Sequence, residues 1–314
     1  MALVDRSCVG ILCLSGKDSL DLLNRLSTND LTNVSPDHAV PTILTSNKGR
    51  IIDLLIVLKE QDHLLLLTAY EAREKIIEWI EFYTITEDVV VRDITDETVM
   101  LSIVGPKATD FLKKIADLPD MCLYNSVPVD VAGLKTLLIR TDFGGLPAFD
   151  LMVNTHDRPL LWKRLLGRGA TSGLVHAGSE AIEVVRVEQG VATYMKELCE
   201  KFNPLEANLG KFISFDKGCY IGQEIVARLD TYKKVQKRLT GLIWSANSTP
   251  KNPIEILNGK TQVGTLTSAV KSPKFGNIGL AYVKVAHANA GTTLTIEING
   301  EKIPAIVTEL PFTL

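Results

Sequence analysis

The chain has no long uninterrupted apolar run. Its most apolar region, residues 51–69, is broken by Asp53, Lys59, Glu60, Asp62 and His63. That reads as two strands and a turn, and it excludes a membrane-spanning helix there. Cysteine occurs in no useful pattern: Cys8, Cys13, Cys122, Cys199 and Cys219 form an odd set without a Cys-x-x-Cys pair. This argues against a disulfide framework or a zinc site and for a reducing cytoplasm. The five histidines are scattered, so no metal cluster is expected. Nor is positive charge in excess. The 34 basic and 37 acidic side chains leave a net charge of −3, too little to draw nucleic acid or an anionic membrane by a global field. Residues 1–8 already mix an acid with a base and lead directly into a folded pattern, so no targeting segment is expected.

What is present is an ordinary globular balance, 46% apolar and 23% charged over 314 residues, enough for two or three domains. Residues 9–15 read as a strand ended by Gly16, and Leu20, Leu22, Leu23 and Leu26 lay a helical stripe over 17–26. Strands are expected at 39–46, 50–59 and 63–69, then an amphipathic helix at 71–84. The pattern then restarts with a strand at 99–104, Gly105-Pro106 and a helix over 107–116. Aligned on the glycines, Asp21 meets Asp110 and Leu23 meets Leu112. Strands near 122–131, 134–141 and 148–153 and a helix at 158–166 follow. The fold class expected is α+β, with two copies of an antiparallel sheet covered by helices, about 6–95 and 96–175.

Residues 180–188 form a further helix, closed by Gly190. Residues 191–216 lose periodicity and form a long connection of the kind that is often functional. After about 237 six short strands follow with no helix between them, at 239–244, 254–257, 262–270, 279–285, 293–298 and 303–307. Asn258-Gly259 and Asn299-Gly300 are type I′ hairpin signals. A small antiparallel barrel over 237–314 is expected, beside a first domain at 1–236.

Chemistry-bearing residues concentrate in residues 216–224. Cys219 follows Lys217 by two positions in a glycine-bounded turn, where a cation and free N–H groups would favour the thiolate. A tight turn into a helix starting near Gln223 explains the same glycines. Asp53 sits in a strand so apolar that an ionised, unpaired carboxylate would be costly. It either ends a sheet, is paired, lines a polar cavity, or faces solvent from an edge strand. Glu188 stands at a helix C-terminus, where a carboxylate opposes the dipole. Arg228, Lys233, Lys234, Lys237 and Arg238 form a basic run, a solvated linker or a seat for an anionic tail. Without net basic charge, nucleic acid ranks low as a partner.

Through Lys217-Gly218-Cys219-Tyr220-Ile221-Gly222-Gln223-Glu224 the chain resembles the folate-binding YgfZ family, whose signature is Lys-Gly-Cys-(Phe/Tyr)-x-Gly-Gln-Glu. Residues 26–30, 47–53, 187–190 and 203–206 extend the resemblance to the glycine-cleavage T-proteins, the aminomethyltransferases. The resemblance implies a tetrahydrofolate cavity enclosed by the repeated α+β units, with the barrel beside it. It places Glu188 on the pterin and Tyr194 and Lys217 at folate-contacting positions, while the positive charge of Arg228 and its neighbours would attract a polyglutamate tail. YgfZ-like proteins assist iron–sulfur proteins, so Cys219 would serve assembly or repair of such clients. The alternative is folate-dependent one-carbon transfer resting on Asp53. T-proteins carry two consecutive aspartates at that point, and here the second is Leu54.

Overall fold

Gly16 and Gly105 do the same work in two places. Each ends a strand in the left-handed region, with φ of +108° and +127°, and releases the chain into a helix. A Cβ at Gly16 would lie 2.1 Å from the Asp88 carbonyl oxygen, so only glycine fits. The computed structural model describes residues 1–246, 250 and 253–313; residues 247–249, 251–252 and 314, within the predicted barrel, lie outside the described residues.

The first copy runs β1 (Ala2–Asp5), β2 (Val9–Ser15), α1 (Ser19–Leu26), β3 (Val40–Thr45), β4 (Ile51–Lys59), β5 (His63–Ala69) and α2 (Arg73–Tyr83). The second runs β6 (Val90–Asp93), β7 (Thr98–Val104), α3 (Ala108–Ile115), β8 (Ser126–Val131), β9 (Leu134–Phe143), β10 (Leu146–Asn154) and α4 (Arg158–Gly169), followed by β11 (Val175–Ala177). α1 buries Leu22, Leu23 and Leu26 of the predicted stripe, with Leu20 half-buried, and α3 buries Phe111 and Leu112, the latter at the place of Leu23.

All strands of one sheet fall within the expected unit 6–95, and those of the other within 96–175 apart from β1 and the end of β11. The first has the order β3-β4-β5-β2-β6 and the second β11-β1-β7-β10-β9-β8. Each copy therefore begins with a short strand that pairs in the other copy's sheet. Ser15, Leu14, Cys13 and Leu12 of β2 face Val90, Val91, Arg92 and Asp93. Val104, Ile103, Ser102 and Leu101 of β7 face Ala2, Leu3, Val4 and Asp5. The copies have exchanged their leading strands in matching register. Nor is the second sheet wholly antiparallel, because β1 and β11 run parallel.

α3 and α4 cover one face of the second sheet, where Phe111, Leu112, Leu161 and Leu165 pack on Leu101, Ile103, Phe149 and Leu151. On its other face Met100, Ile139 and Met152 join Ile11, Leu58, Leu65 and Leu67 of the first sheet.

The remaining helices are α5 (Ser179–Glu188) and α6 (Gln223–Thr231). Six antiparallel strands then close a barrel: β12 (Lys237–Trp244), β13 (Ile254–Asn258), β14 (Thr261–Ser272), β15 (Gly276–Lys284), β16 (Thr293–Ile298) and β17 (Glu301–Thr308). Leu242, Ile256, Leu266, Val283, Leu294, Ile296 and Val307 fill its interior. Asn299 and Gly300 both have positive φ, as a type I′ turn requires. At the other hairpin Asn258 pairs with Thr261, so the turn moves on to Gly259-Lys260 and only Gly259 has positive φ.

By packing, the chain forms two compact units. Unit 1 comprises residues 1–45, 52–178 and 212–221, and unit 2 comprises 46–51, 179–211 and 222–314. Residues 179–211 and 222–236 thus group with the barrel.

Candidate functional site

The signature stretch is divided between the units at Ile221. In unit 1 its loop is tied down on both sides. The Thr28 hydroxyl donates to the Phe212 carbonyl at 2.8 Å, and the Ser214 N–H donates to the Thr28 carbonyl at 3.0 Å. Further along, the Ile221 N–H donates to the Arg25 carbonyl at 3.0 Å, and the Thr45 hydroxyl to the Ile221 carbonyl at 2.6 Å. Tyr220 is buried between these ties.

Lys217 is turned onto residues 24–29 of the same unit. Its Nζ lies 2.7 Å from Asn24 O, 2.8 Å from Asn24 Oδ1, 2.9 Å from Ser27 O and 2.6 Å from Asn29 O. An ammonium has three protons, and four acceptors already share them. The group pins residues 24–29 through these shared bonds. Burial lowers its pKa to about 8, while Asp30 acts the other way.

Gly218 and Cys219, just beyond, are exposed. A Cβ at Gly218 would meet nothing within 4 Å, and its φ lies outside the left-handed region. Neither space nor backbone conformation requires a glycine there. Gly222 is the opposite case. Its φ is +87°, and a Cβ would approach the Ser46 carbonyl oxygen to 2.5 Å. The turn explanation therefore accounts for Gly222, which opens α6, and not for Gly218.

Asp53 is 1% exposed and lies on an inner strand, which removes the solvent-facing alternative. The β4–β5 ladder runs from Lys59↔Leu64 to Ile56↔Leu67. Beyond it, Asp53 Oδ2 accepts from the Thr68 hydroxyl at 2.5 Å and the Ala69 N–H at 3.0 Å. The carboxylate completes the pairing where the ladder runs out. Burial raises its pKa, the Thr68 and Ala69 bonds oppose that, and nearby Glu71 adds to it.

In unit 2 Glu188 ends α5, half-buried. Its Oε1 accepts from the Ser272 hydroxyl at 2.5 Å, and Ser272 Oγ accepts from the Lys274 and Phe275 N–H groups, each at 3.0 Å. Tyr194 is half-buried, while Glu224 and Arg228 of α6 are exposed. Gln223 and Glu224 occupy the first turn of α6, where a carboxylate suits the dipole. The Asn203–Glu206 motif is a capping box. Asn203 Oδ1 accepts from the Leu205 and Glu206 N–H groups, and Glu206 Oε2 accepts from the Asn203 N–H.

A buried ionic network in unit 2 has no counterpart among the sequence candidates. Arg186 binds Glu183 through two hydrogen bonds of 2.7 Å, and also Glu197, Ser268 and the Val191 carbonyl. Glu197 is 0% exposed and accepts from Thr267, Ser268 and the Thr193 N–H. Burial opposes ionisation of Glu183, but the bonds and charge of Arg186, with Lys196, hold it at about 2. The available signals were Glu183 and Arg186 three apart on one helix, and the adjacent hydroxyls Thr267-Ser268 inside an apolar strand.

Comparison with known proteins places both halves of the chain. Residues 1–217 match the GCVT N-terminal domain, and residues 237–313 match the glycine cleavage T-protein C-terminal barrel domain. An aminomethyltransferase of Caldanaerobacter subterraneus subsp. tengcongensis is 30% identical over 316 residues, covering 99% of this chain and 84% of that protein. One of Saccharopolyspora erythraea is 31% identical over 317 residues, covering 99% and 86%. The crystal structure of glycine cleavage system aminomethyltransferase T from Bartonella henselae shares the fold, with a TM-score of 0.87 at 19% identity, over 99% of this chain and 86% of that one. Tetrahydrofolate, the expected cofactor, accords with that family. With its α+β halves, its closed barrel and these matches, the chain belongs to the glycine cleavage T-protein family.

Proposed function

We propose that this chain binds tetrahydrofolate and works through Cys219, as an accessory factor for the assembly or repair of iron–sulfur proteins. The observation that carries the reading is the contrast inside the signature. The loop is fastened at both ends and through Lys217, yet it leaves Gly218 and Cys219 exposed, and the glycine has no structural requirement. Asp53, by contrast, is buried and already holds two donors, which disfavours it as a group that meets substrate. Glu188 suits a pterin. Its Oε2 takes no hydrogen bond from any described residue, and a half-buried carboxylate can accept from the N–H groups of such a ring. Tyr194 and the exposed Arg228 are the further folate candidates, Arg228 for a carboxylate tail. Tetrahydrofolate, when bound, supplies a reduced pterin able to carry one-carbon units.

The second reading is aminomethyl transfer, and the names of the curated relatives favour it. Asp53 would then act by positioning. One pair of variants separates the readings. In a strain lacking its YgfZ-type factor, the wild-type chain should restore iron–sulfur enzyme activity, Cys219→Ser should not, and Asp53→Ala should retain it. Formation of methylenetetrahydrofolate from an aminomethyl donor, lost in Asp53→Ala and kept in Cys219→Ser, would establish the second reading instead. Calorimetric titration tests the shared premise: tetrahydrofolate should bind, and more weakly to Glu188→Ala. No binding at millimolar ligand would sink both.

A further inference from the structure

The two sheets of unit 1 match strand for strand except at one end. β6 lies beside β2 in the register in which β1 lies beside β7. In the second sheet a further strand, β11, then pairs in parallel with β1. The first sheet stops at β6. Its chain passes from α2 to β6 without forming the strand that β11 provides in the other copy. As an edge strand, β6 turns one row of N–H and C=O groups away from its neighbour.

The surface there is apolar. Phe82 is 74% exposed, Ile85 85% and Val90 55%. A cavity of about 570 Å³ elsewhere in the unit is lined by Met1, Lys107, Lys114 and their neighbours, but the one that touches β6 is a groove of about 380 Å³ lined by Ile80, Glu81, Thr84, Val89, Val90 and Val91. Glu81 of its lining is exposed and acidic, and the exposed charges nearest along the chain are Glu78, Asp88 and Asp93 against Arg92.

We propose that the open edge of β6 docks an extended segment of a partner protein as a sixth strand parallel to β6, apolar at alternate positions and basic between them. The parallel direction and the position follow from β11, which fills the equivalent place in the second sheet with Val175-His176-Ala177. The alternation follows from the pleat, which sends every second side chain into the groove. The basic positions follow from the acidic rim, since opposite charge steers and selects the partner.

The probe is a capped seven-residue peptide alternating valine with lysine, titrated into the full chain by fluorescence polarisation. Amide hydrogen exchange would be followed in parallel. Saturable binding with slowed exchange at residues 90–93 is expected. Val90→Lys or Phe82→Lys should weaken it by about tenfold or more, as like charge at a binding edge does. A peptide alternating valine with glutamate should bind far more weakly. Unchanged exchange at residues 90–93 under saturating peptide would overturn the proposal, as would equal binding by the acidic peptide. A concentration-dependent dimer abolished by Val90→Lys, seen by sedimentation, would overturn it in favour of pairing between copies. Circular dichroism verifies that the variants fold, and the exchange measurement on the unmodified chain decides the matter if they do not.

Discussion

Two buried groups of unit 1 and the ionic network of unit 2 are compensated in opposite ways. In unit 1 Asp53 and Lys217 are each surrounded by neutral dipoles: a hydroxyl and an amide for the acid, carbonyl and amide oxygens for the base. Burial pushes both toward their neutral forms, Asp53 up and Lys217 down to about 8. In unit 2 the Arg186 network is paired throughout. Burial is outweighed there, and both Glu183 and Arg186 are held more firmly charged than in water. Perturbation toward neutrality in unpaired groups is the pattern of functional sites, whereas matched pairs are the pattern of structure. Asp53 and Lys217 are nonetheless held by structural ties of their own, so the difference lies in how the charge is compensated, and each half of the comparison can be broken separately.

The largest effect is expected at the hub of unit 2. Glu197→Ala strips the buried Arg186 of one partner and leaves Thr267 and Ser268 without their acceptor. A loss of about 3–5 kcal/mol in unfolding free energy by urea denaturation is expected. A loss below about 1 kcal/mol would mean the network is solvated and the contrast is false.

Lys217→Met should cost less, about 1–3 kcal/mol, because it removes the donor from four oxygens that are only partly shielded from water. It should also loosen residues 24–29, read as faster amide exchange there. Stability retained together with lost tetrahydrofolate affinity would favour a direct ligand contact by Lys217 instead.

The smallest effect is in the acid limb, where the units should respond with opposite sign. Glu183 has a folded pKa of about 2 against an ordinary 4.5. It contributes stability that is present above pH 4.5 and is lost as pH falls toward 2. Asp53, raised above its ordinary 3.8, binds its proton more tightly folded than unfolded. Its contribution improves as pH falls from its folded pKa toward 3.8. Glu183→Gln should flatten the acid limb of the stability–pH curve, and Asp53→Asn should steepen it while leaving neutral-pH stability the same or higher. Matching slopes in the two variants would dissolve the distinction.

How far the chain could be read before its structure depended on the range of the interactions involved. The repeated strand–glycine–helix units and the six barrel strands follow from apolar periodicity and from backbone conformations that only certain residues adopt. These are enforced within a few residues. Asn299-Gly300 forms the hairpin its own φ values demand. Asn258-Gly259 shifts by one residue because strand pairing, a non-local term, draws Asn258 into the ladder. β1 and β6, each four residues long, carry too little pattern to stand out, and their exchange between sheets is decided wholly by distant partners.

The candidate site divides along the same line. Sequence by itself determined the glycine cleavage T-protein family, through the motifs at 26–30, 47–53, 187–190 and 203–206, since a motif is a statement about residue order alone. Tertiary structure alone decided that Asp53 completes a ladder, that the Lys217 ammonium is held by residues 24–29, and that Cys219 stands open. Burial and hydrogen-bond satisfaction depend on which distant backbone arrives beside a side chain, and no local pattern encodes that.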